Sequence, residues 1–290
     1  MSKPKNEMSF LNHLEVLRWT LVRSALAVFA GGIVAFIMKD FIFNSILLAP
    51  KDPSFVTYRF LCSVSQSFGT NGLCIDEIPF IVQSRTMAGQ FSAHIWTSIV
   101  FGFIMAFPFI VWEIWKFIKP ALFDAEKKNA KSFITITSFL FFVGILFGYY
   151  VITPLSINFL GSYRVADEVR NNFDLSSYTG LLKASCLSSG FIFELPIVIY
   201  FLTKMGLVTP EFLKEYRKYA LVMVLILAAI ITPPDIISQI IVAIPMVTLY
   251  EVSIRISARI IKNEKKKKEK EFKKTNKPST TKKKRRNIQD

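Results

Sequence analysis

The sequence predicts an all-α polytopic membrane protein with six transmembrane helices, the fifth and sixth short. Three observations carry this. Hydrophobic residues make up 52% of the 290-residue chain and charged residues only 20%, against roughly 25% charge in an ordinary soluble domain. The apolar residues fall in long runs nearly free of charge. The positive charge sits at one end: residues 255–290 hold 16 of the 36 Lys and Arg residues and 4 of the 21 acidic ones. An almost neutral apolar body with a basic tail excludes whole-chain disorder, an ordinary soluble enzyme and a basic nucleic-acid-binding domain.

About 20 apolar residues cross the roughly 30 Å of hydrocarbon in a bilayer. Spans are expected at about 21–38, 94–117, 132–154, 179–203, 219–232 and 236–252. The first, from Leu21, is interrupted only by Arg23. No polar mature chain follows it, so it reads as a retained helix rather than a cleaved signal peptide. The second and third runs contain no charge between Thr86 and Trp112 or between Ser132 and Tyr163, and Pro154 marks the end of the third. The fourth carries Glu194. Tyr219–Thr232 and Ile236–Tyr250 rise only about 21 and 22 Å. The tight Pro233-Pro234-Asp235 turn between them makes a helical hairpin of shallow spans.

Ahead of the first span, residues 1–20 form an expected cytoplasmic segment. Apolar residues at 10, 11, 14, 17 and 21 have amphipathic helical spacing, suited to lying along the interface before turning inward. Residues 54–82 are rich in β-branched and aromatic types around Asn71-Gly72, which predicts a small β-hairpin on the outer side. Cys62 and Cys74 fall one on each expected strand, where an oxidising compartment permits a disulfide; two free thiols are the alternative. Cys186 reads as a small apolar packing residue. Residues 261–290 are Lys-rich and poor in apolar types, so a disordered tail is expected. Its attraction would be to anionic lipid headgroups, with no nucleic-acid recognition. Regions 1–23, 116–131, 204–218 and 255–290 hold 29 of the 36 basic residues. The positive-inside rule then places both termini in the cytoplasm.

Catalytic chemistry finds little to work with. His13 and His94 are the only histidines. No HExxH, CxxC, GxSxG, P-loop or GxGxxG pattern occurs, so neither a metal nor a cofactor is expected. Ser188-Ser189-Gly190 reads as a close-packing patch, because a serine protease would need a histidine at membrane depth. The informative residues are polar ones in awkward places. Glu194 would lie at bilayer depth, at a cost of about 2.5–3.5 kcal/mol; it is either a neutral structural carboxyl or a functional polar site. Asp235 can cap the sixth helix, and Gln239 lies one turn deeper. Glu113 and Glu251 sit at the inner ends of spans. Glu15 and Glu126 share the cytoplasmic face and together suit a basic peptide. A carboxylate takes two parallel bonds from an arginine, which a lysine cannot reproduce.

Four ordered motifs now bear comparison with a known family. They are His13-Leu14-Glu15-x-Leu17-Arg18; Pro108-x4-Glu113-x-Trp115-x-Phe117-x2-Pro120-Ala121-Leu122 running to Glu126-Lys127; Phe193-Glu194-Leu195-Pro196; and Thr232-Pro233-Pro234-Asp235-x2-Ser238-Gln239 followed by Ala243-Ile244-Pro245-Met246. Over about residues 9–260 the chain resembles the TatC family, the multispanning subunit of the twin-arginine protein translocase. The resemblance implies a concave, cup-like six-helix array in a bacterial cytoplasmic (inner) membrane. It implies transport of folded precursors driven by the proton-motive force, without catalysis by this subunit. The implied partners are single-span TatA and TatB type subunits, twin-arginine signal peptides and further copies of the chain. The implied signal-peptide residues are Glu15, Arg18, Phe117, Pro120, Leu122 and Glu126. Glu194, Thr232 and Gln239, with Asp235 beside them, map to the intramembrane cavity and partner-docking region. Val16 stands where the family usually has Glu, with Glu15 one place earlier, a rotation of about 100° on a helix. The competing reading is a proton-coupled secondary transporter with Glu194 as its proton site; such transporters commonly show internal repeats, and none is visible here.

Overall fold

Backbone amides have no water to bind in lipid, so long apolar runs must satisfy themselves as helices. Helices accordingly dominate this computed structural model, which describes residues 10–67, 69–70, 74–75, 80–119, 130–169, 171–232 and 235–275. Among the described residues, five helical stretches are long and apolar enough to cross a membrane: His13–Ile37, Gly89–Ile118, Lys131–Ser162, Leu175–Lys204 and Ser238–Lys266.

Helix α1 runs unbroken over Phe10–Ile37. The expected amphipathic segment is therefore, from Phe10 on, not a separate helix but continuous with the first candidate span. Neither Gly nor Pro occurs between Phe10 and Gly31, so nothing stops the helix at the interface. A wide π-helical segment, Phe41–Leu47, and a tight 3₁₀ turn, Ala49–Lys51, lead into α2, Val56–Ser67. Here the predicted β-hairpin is overturned: its first strand is a helix. The decisive interactions are tertiary. Tyr58 is buried, and its hydroxyl donates to the carbonyls of Pro50 at 2.9 Å and Pro154 at 3.1 Å. Phe55 stacks on Tyr150 at 5.6 Å, and Thr57 donates to the Tyr150 carbonyl. Such packing overrides β-propensity, which is a preference of surroundings as much as of residue type. The Asn71-Gly72 turn lies outside the described residues. Cys62 and Cys74 are joined by a disulfide. The strand that does form, β1 (Ile81–Gln83), pairs in parallel with β2 (Asn172–Asp174), Val82 opposite Phe173.

Helix α3 spans Gly89–Ile118 and packs against α1. A Cβ on Gly102 would fall 2.4 Å from the Gly32 amide nitrogen and 2.5 Å from the Val28 carbonyl oxygen, so only glycine lets the backbones meet there. Helix α4 (Ala130–Phe147) continues through a wider turn at Gly148–Ile152 into α5 (Thr153–Ser162). The third span thus runs on past Pro154, which is accepted in the first turn of α5 where its missing N–H is harmless. Helix α6 (Leu175–Phe193) and α7 (Leu195–Lys204) form the fourth span, interrupted at Glu194 beside Pro196. A short α8 (Pro210–Glu215) leads to α9, Arg217–Ile231, whose 15 residues rise only about 22 Å.

Helix α10 departs most from expectation. It is neither short nor finished near residue 252; it runs over Ile236–Thr275, 40 residues. Residues 261–275, expected to be disordered, are helical. Lys and Glu are good helix formers, no Gly or Pro occurs between Pro245 and Pro278, and the buried Ile260 anchors the extension. Residues 276–290 lie outside the described residues.

The core follows the helix pairs. Val224 and Ala228 of α9 pack with Val242, Ala243 and Met246 of α10 and with Ile152. Phe107 and Val111 of α3 pack with Phe141 of α4, the Phe107 and Phe141 rings stacked at 3.5 Å. Gly144 and Gly148 admit the backbone of α6 around Ser189 and Cys186. The small residues of that helix therefore serve close packing, and Cys186 is buried as an apolar residue.

Candidate functional site

One end of the molecule gathers the start of α1 and the end of α3. Because α1 is a single helix, Glu15, Trp19 and Arg23 fall on one side of it at four-residue spacing. With Val16, Thr20, Glu113 and Lys116 they line a groove of about 450 Å³. Glu113 is its fixed point. Its carboxylate is 1% exposed and held by two cations: Lys116 Nζ lies 2.6 Å from Oε1 and Arg23 Nη1 3.4 Å from Oε2. The Lys116 ammonium also sits 3.4 Å from the centroid of the Trp112 ring. A buried carboxylate persists only when paired, and this one braces α1 against α3.

Glu15 differs. It is exposed, and among the described residues it forms no ion pair. Despite Val16 occupying the family's usual Glu position, Glu15 still lines the groove, with Val16 beside it. Phe117, one residue beyond Lys116, stacks on His13 at 4.3 Å and closes this end of the α1–α3 pair. Arg18 lies on α1 and is exposed, outside the groove wall. Pro120, Leu122 and Glu126 lie outside the described residues. Sequence position puts Glu113 at the inner end of a span but does not show its burial or its double pairing. The available signal was Lys116 at i+3, a spacing that brings side chains together on a helix.

The intramembrane polar residues separate into two groups. Thr232 is buried and donates from Oγ1 to the Ala228 carbonyl at 2.8 Å. Asp235 Oδ2 accepts from the Ser238 amide at 2.8 Å, capping α10. Gln239 Nε2 donates to the Leu225 carbonyl at 3.0 Å, tying α10 to α9. Gln239 thus ties α10 to α9, while Thr232 and Asp235 finish the facing ends of the two helices. Glu194 stands apart at the α6–α7 break. It is 9% exposed and lies against the backbone of Phe141; neither carboxylate oxygen forms a well-aligned hydrogen bond among the described residues. At the same end as the groove, Arg217 and Glu251 make a two-pronged pair, Nε to Oε1 at 2.7 Å and Nη2 to Oε2 at 2.9 Å.

At the opposite end, buried hydroxyls fasten the connecting segments. Tyr178 donates to the Leu47 carbonyl at 2.8 Å and Tyr149 to the Ile46 carbonyl at 2.9 Å. Burial raises the Tyr58 phenol above its ordinary range. The Ser54 amide and hydroxyl lower the Asp52 carboxyl. Among the described residues no cluster of His, Cys, Asp and Glu suits a metal.

The molecule is thus a multi-span membrane protein with a charged groove at one end. Residues 12–245 match the family described as Sec-independent protein translocase protein (TatC). The TatC of Blattabacterium sp. subsp. Periplaneta americana is 42% identical over 91% of this chain and 100% of its own length. That of Desulforapulum autotrophicum is 34% identical over 91% and 89%. A crystal structure of the twin arginine translocase receptor TatC superposes with a TM-score of 0.63 at 30% identity, covering 85% of this chain and 98% of its own. A second, in DDM, gives 0.65 at 32% identity, covering 84% and 99%. The chain belongs to the TatC family of Sec-independent protein translocase proteins.

Proposed function

We propose that the chain is the signal-peptide receptor and core subunit of a translocase that moves folded proteins across the bacterial inner membrane on the proton-motive force. The observation that carries this reading is the α1–α3 groove. It offers one exposed carboxylate, Glu15, beside the apolar walls of Val16 and Trp19 and the already neutralised Glu113. Paired arginines would meet Glu15 and Glu126, the second of which lies outside the described residues. The apolar stretch of the signal peptide would supply most of the affinity, since exposed ion pairs contribute only about 0.2–1 kcal/mol each. Arg18, Phe117, Pro120 and Leu122 complete the proposed contact surface.

In this reading α9 and α10 are the fifth and sixth spans of a cup-like array, with both termini in the cytoplasm. The charge distribution supports that orientation, and so does the Cys62–Cys74 disulfide, since disulfides persist on the oxidising side. Glu194, within the membrane and short of polar partners, is the proposed contact for single-span TatA and TatB type subunits, with the Thr232–Gln239 hairpin shaping the surface beside it. Further copies of the chain complete the complex. Export of a twin-arginine precursor in cells lacking their own TatC tests the reading. The chain should restore export, and Glu15→Gln should reduce it while the protein level holds. Undiminished export with Glu15→Gln and Glu126→Gln combined would contradict it.

A further inference from the structure

Beyond about its twentieth residue, α10 has outrun the hydrocarbon. Its 40 residues rise about 60 Å, twice the apolar thickness of a bilayer. Counted from Ile236, the crossing is complete near Arg255. Past that point one face of the helix is held by the rest of the protein. Ser257 and Ile260 are buried, Thr203 Oγ1 donates to Ser257 Oγ at 2.9 Å, and Lys204 pairs with Glu264 at 3.1 Å. The opposite face carries Arg255, Arg259, Lys262 and Lys266, all exposed. Their spacing of four, three and four residues makes a single stripe about 16 Å long. Among the described residues none of the four forms an ion pair.

Two ordinary explanations fall short. Cations favour a helix C-terminus, but the macrodipole acts within the last turn, and Lys266 lies nine residues before Thr275. Like charges at this spacing also disfavour the helix, so the stripe is not there for stability. We propose that it docks an acidic polypeptide segment of another protein, lying alongside α10. The helix axis leads away from the membrane, so Arg255 stands near headgroup level and Lys266 about 16 Å further along. That direction suits an extended or helical acidic segment better than a lipid surface. The terminal segments outside the described residues, 1–9 and 276–290, are both net basic, which favours carboxylates from another protein. A second copy brings the same charge. The surface is separate from the α1–α3 groove and does not depend on the receptor reading.

The test uses the full chain in phosphatidylcholine nanodiscs. The probe is a fluorescein-labelled helical peptide with Glu at the matching four-, three- and four-residue spacing, followed by fluorescence anisotropy at low salt. Binding is expected, weakening as salt rises. The variant Arg255→Gln, Arg259→Gln, Lys262→Gln, Lys266→Gln should bind about tenfold more weakly or worse, with helical content unchanged by circular dichroism. Neutralising Lys282, Lys283, Lys284, Arg285 and Arg286 to Gln should weaken binding less than neutralising the stripe does, and the difference should grow as salt rises. Binding should persist in nanodiscs containing phosphatidylglycerol. Absent binding, equal binding by the stripe variant, loss only on neutralising residues 282–286, or loss in anionic nanodiscs, where the stripe would be lying on lipid, would each overturn the proposal.

Discussion

At the residue scale, Glu113 shows how burial converts a charge into a fastener. Its two cations are each about half exposed, while the carboxylate is not. Removing both cations therefore leaves an uncompensated buried anion. Arg23→Gln with Lys116→Gln is expected to destabilise the detergent-solubilised protein by about 3 kcal/mol, read as a fall in unfolding midpoint. Adding Glu113→Gln should recover most of the loss, because the buried charge goes with its partners. Asp235 allows a second residue-scale test. Its carboxylate accepts from the Ser238 amide at the start of α10. Asp235→Ala should cost about 1 kcal/mol, and Asp235→Asn or Asp235→Ser only a fraction of that.

At the element scale, the sequence spoke clearly where burial in lipid forces one answer. The uncharged runs after Thr86 and after Ser132 could only be helices, and they are. It spoke poorly where tertiary contacts choose between local options. Val56–Ser67 looks like a strand by residue type, yet Tyr58 reaches two carbonyls, those of Pro50 and Pro154, as part of a helix. The Lys-rich stretch after Lys262 looks disordered by composition. It remains helical because the preceding turns are already nucleated and anchored, as Thr203–Ser257 and Lys204–Glu264 show. In the groove, Glu15 was legible from its motif, whereas the pairing of Glu113 with Arg23 spans 90 residues and leaves no local trace. The α1–α3 contact also makes an element-scale prediction. Gly102→Leu should separate the helices and cost roughly 1–3 kcal/mol or more by overpacking, lowering thermal stability. Leu→Ala at Leu26, an exposed position on α1, should change it by less than about 0.5 kcal/mol.

At the scale of the whole molecule, the end that carries the groove also carries most of the positive charge, and the opposite end carries the disulfide-linked segment. The proposed orientation predicts that a membrane-impermeant amine reagent added outside sealed cells modifies Lys51 and spares Lys116. Modification of Lys116 with the bilayer intact would turn the molecule over, and the groove with it.

The central claim is that the α1–α3 groove reads paired arginines. It is tested most directly with a photo-reactive residue in place of Trp19, in the assembled translocase, presented with one precursor bearing Arg-Arg and the same precursor bearing Lys-Lys. The groove account predicts strong labelling of the Arg-Arg form and markedly weaker labelling of the Lys-Lys form. Equal labelling of the two, or labelling of neither while export proceeds, would contradict it.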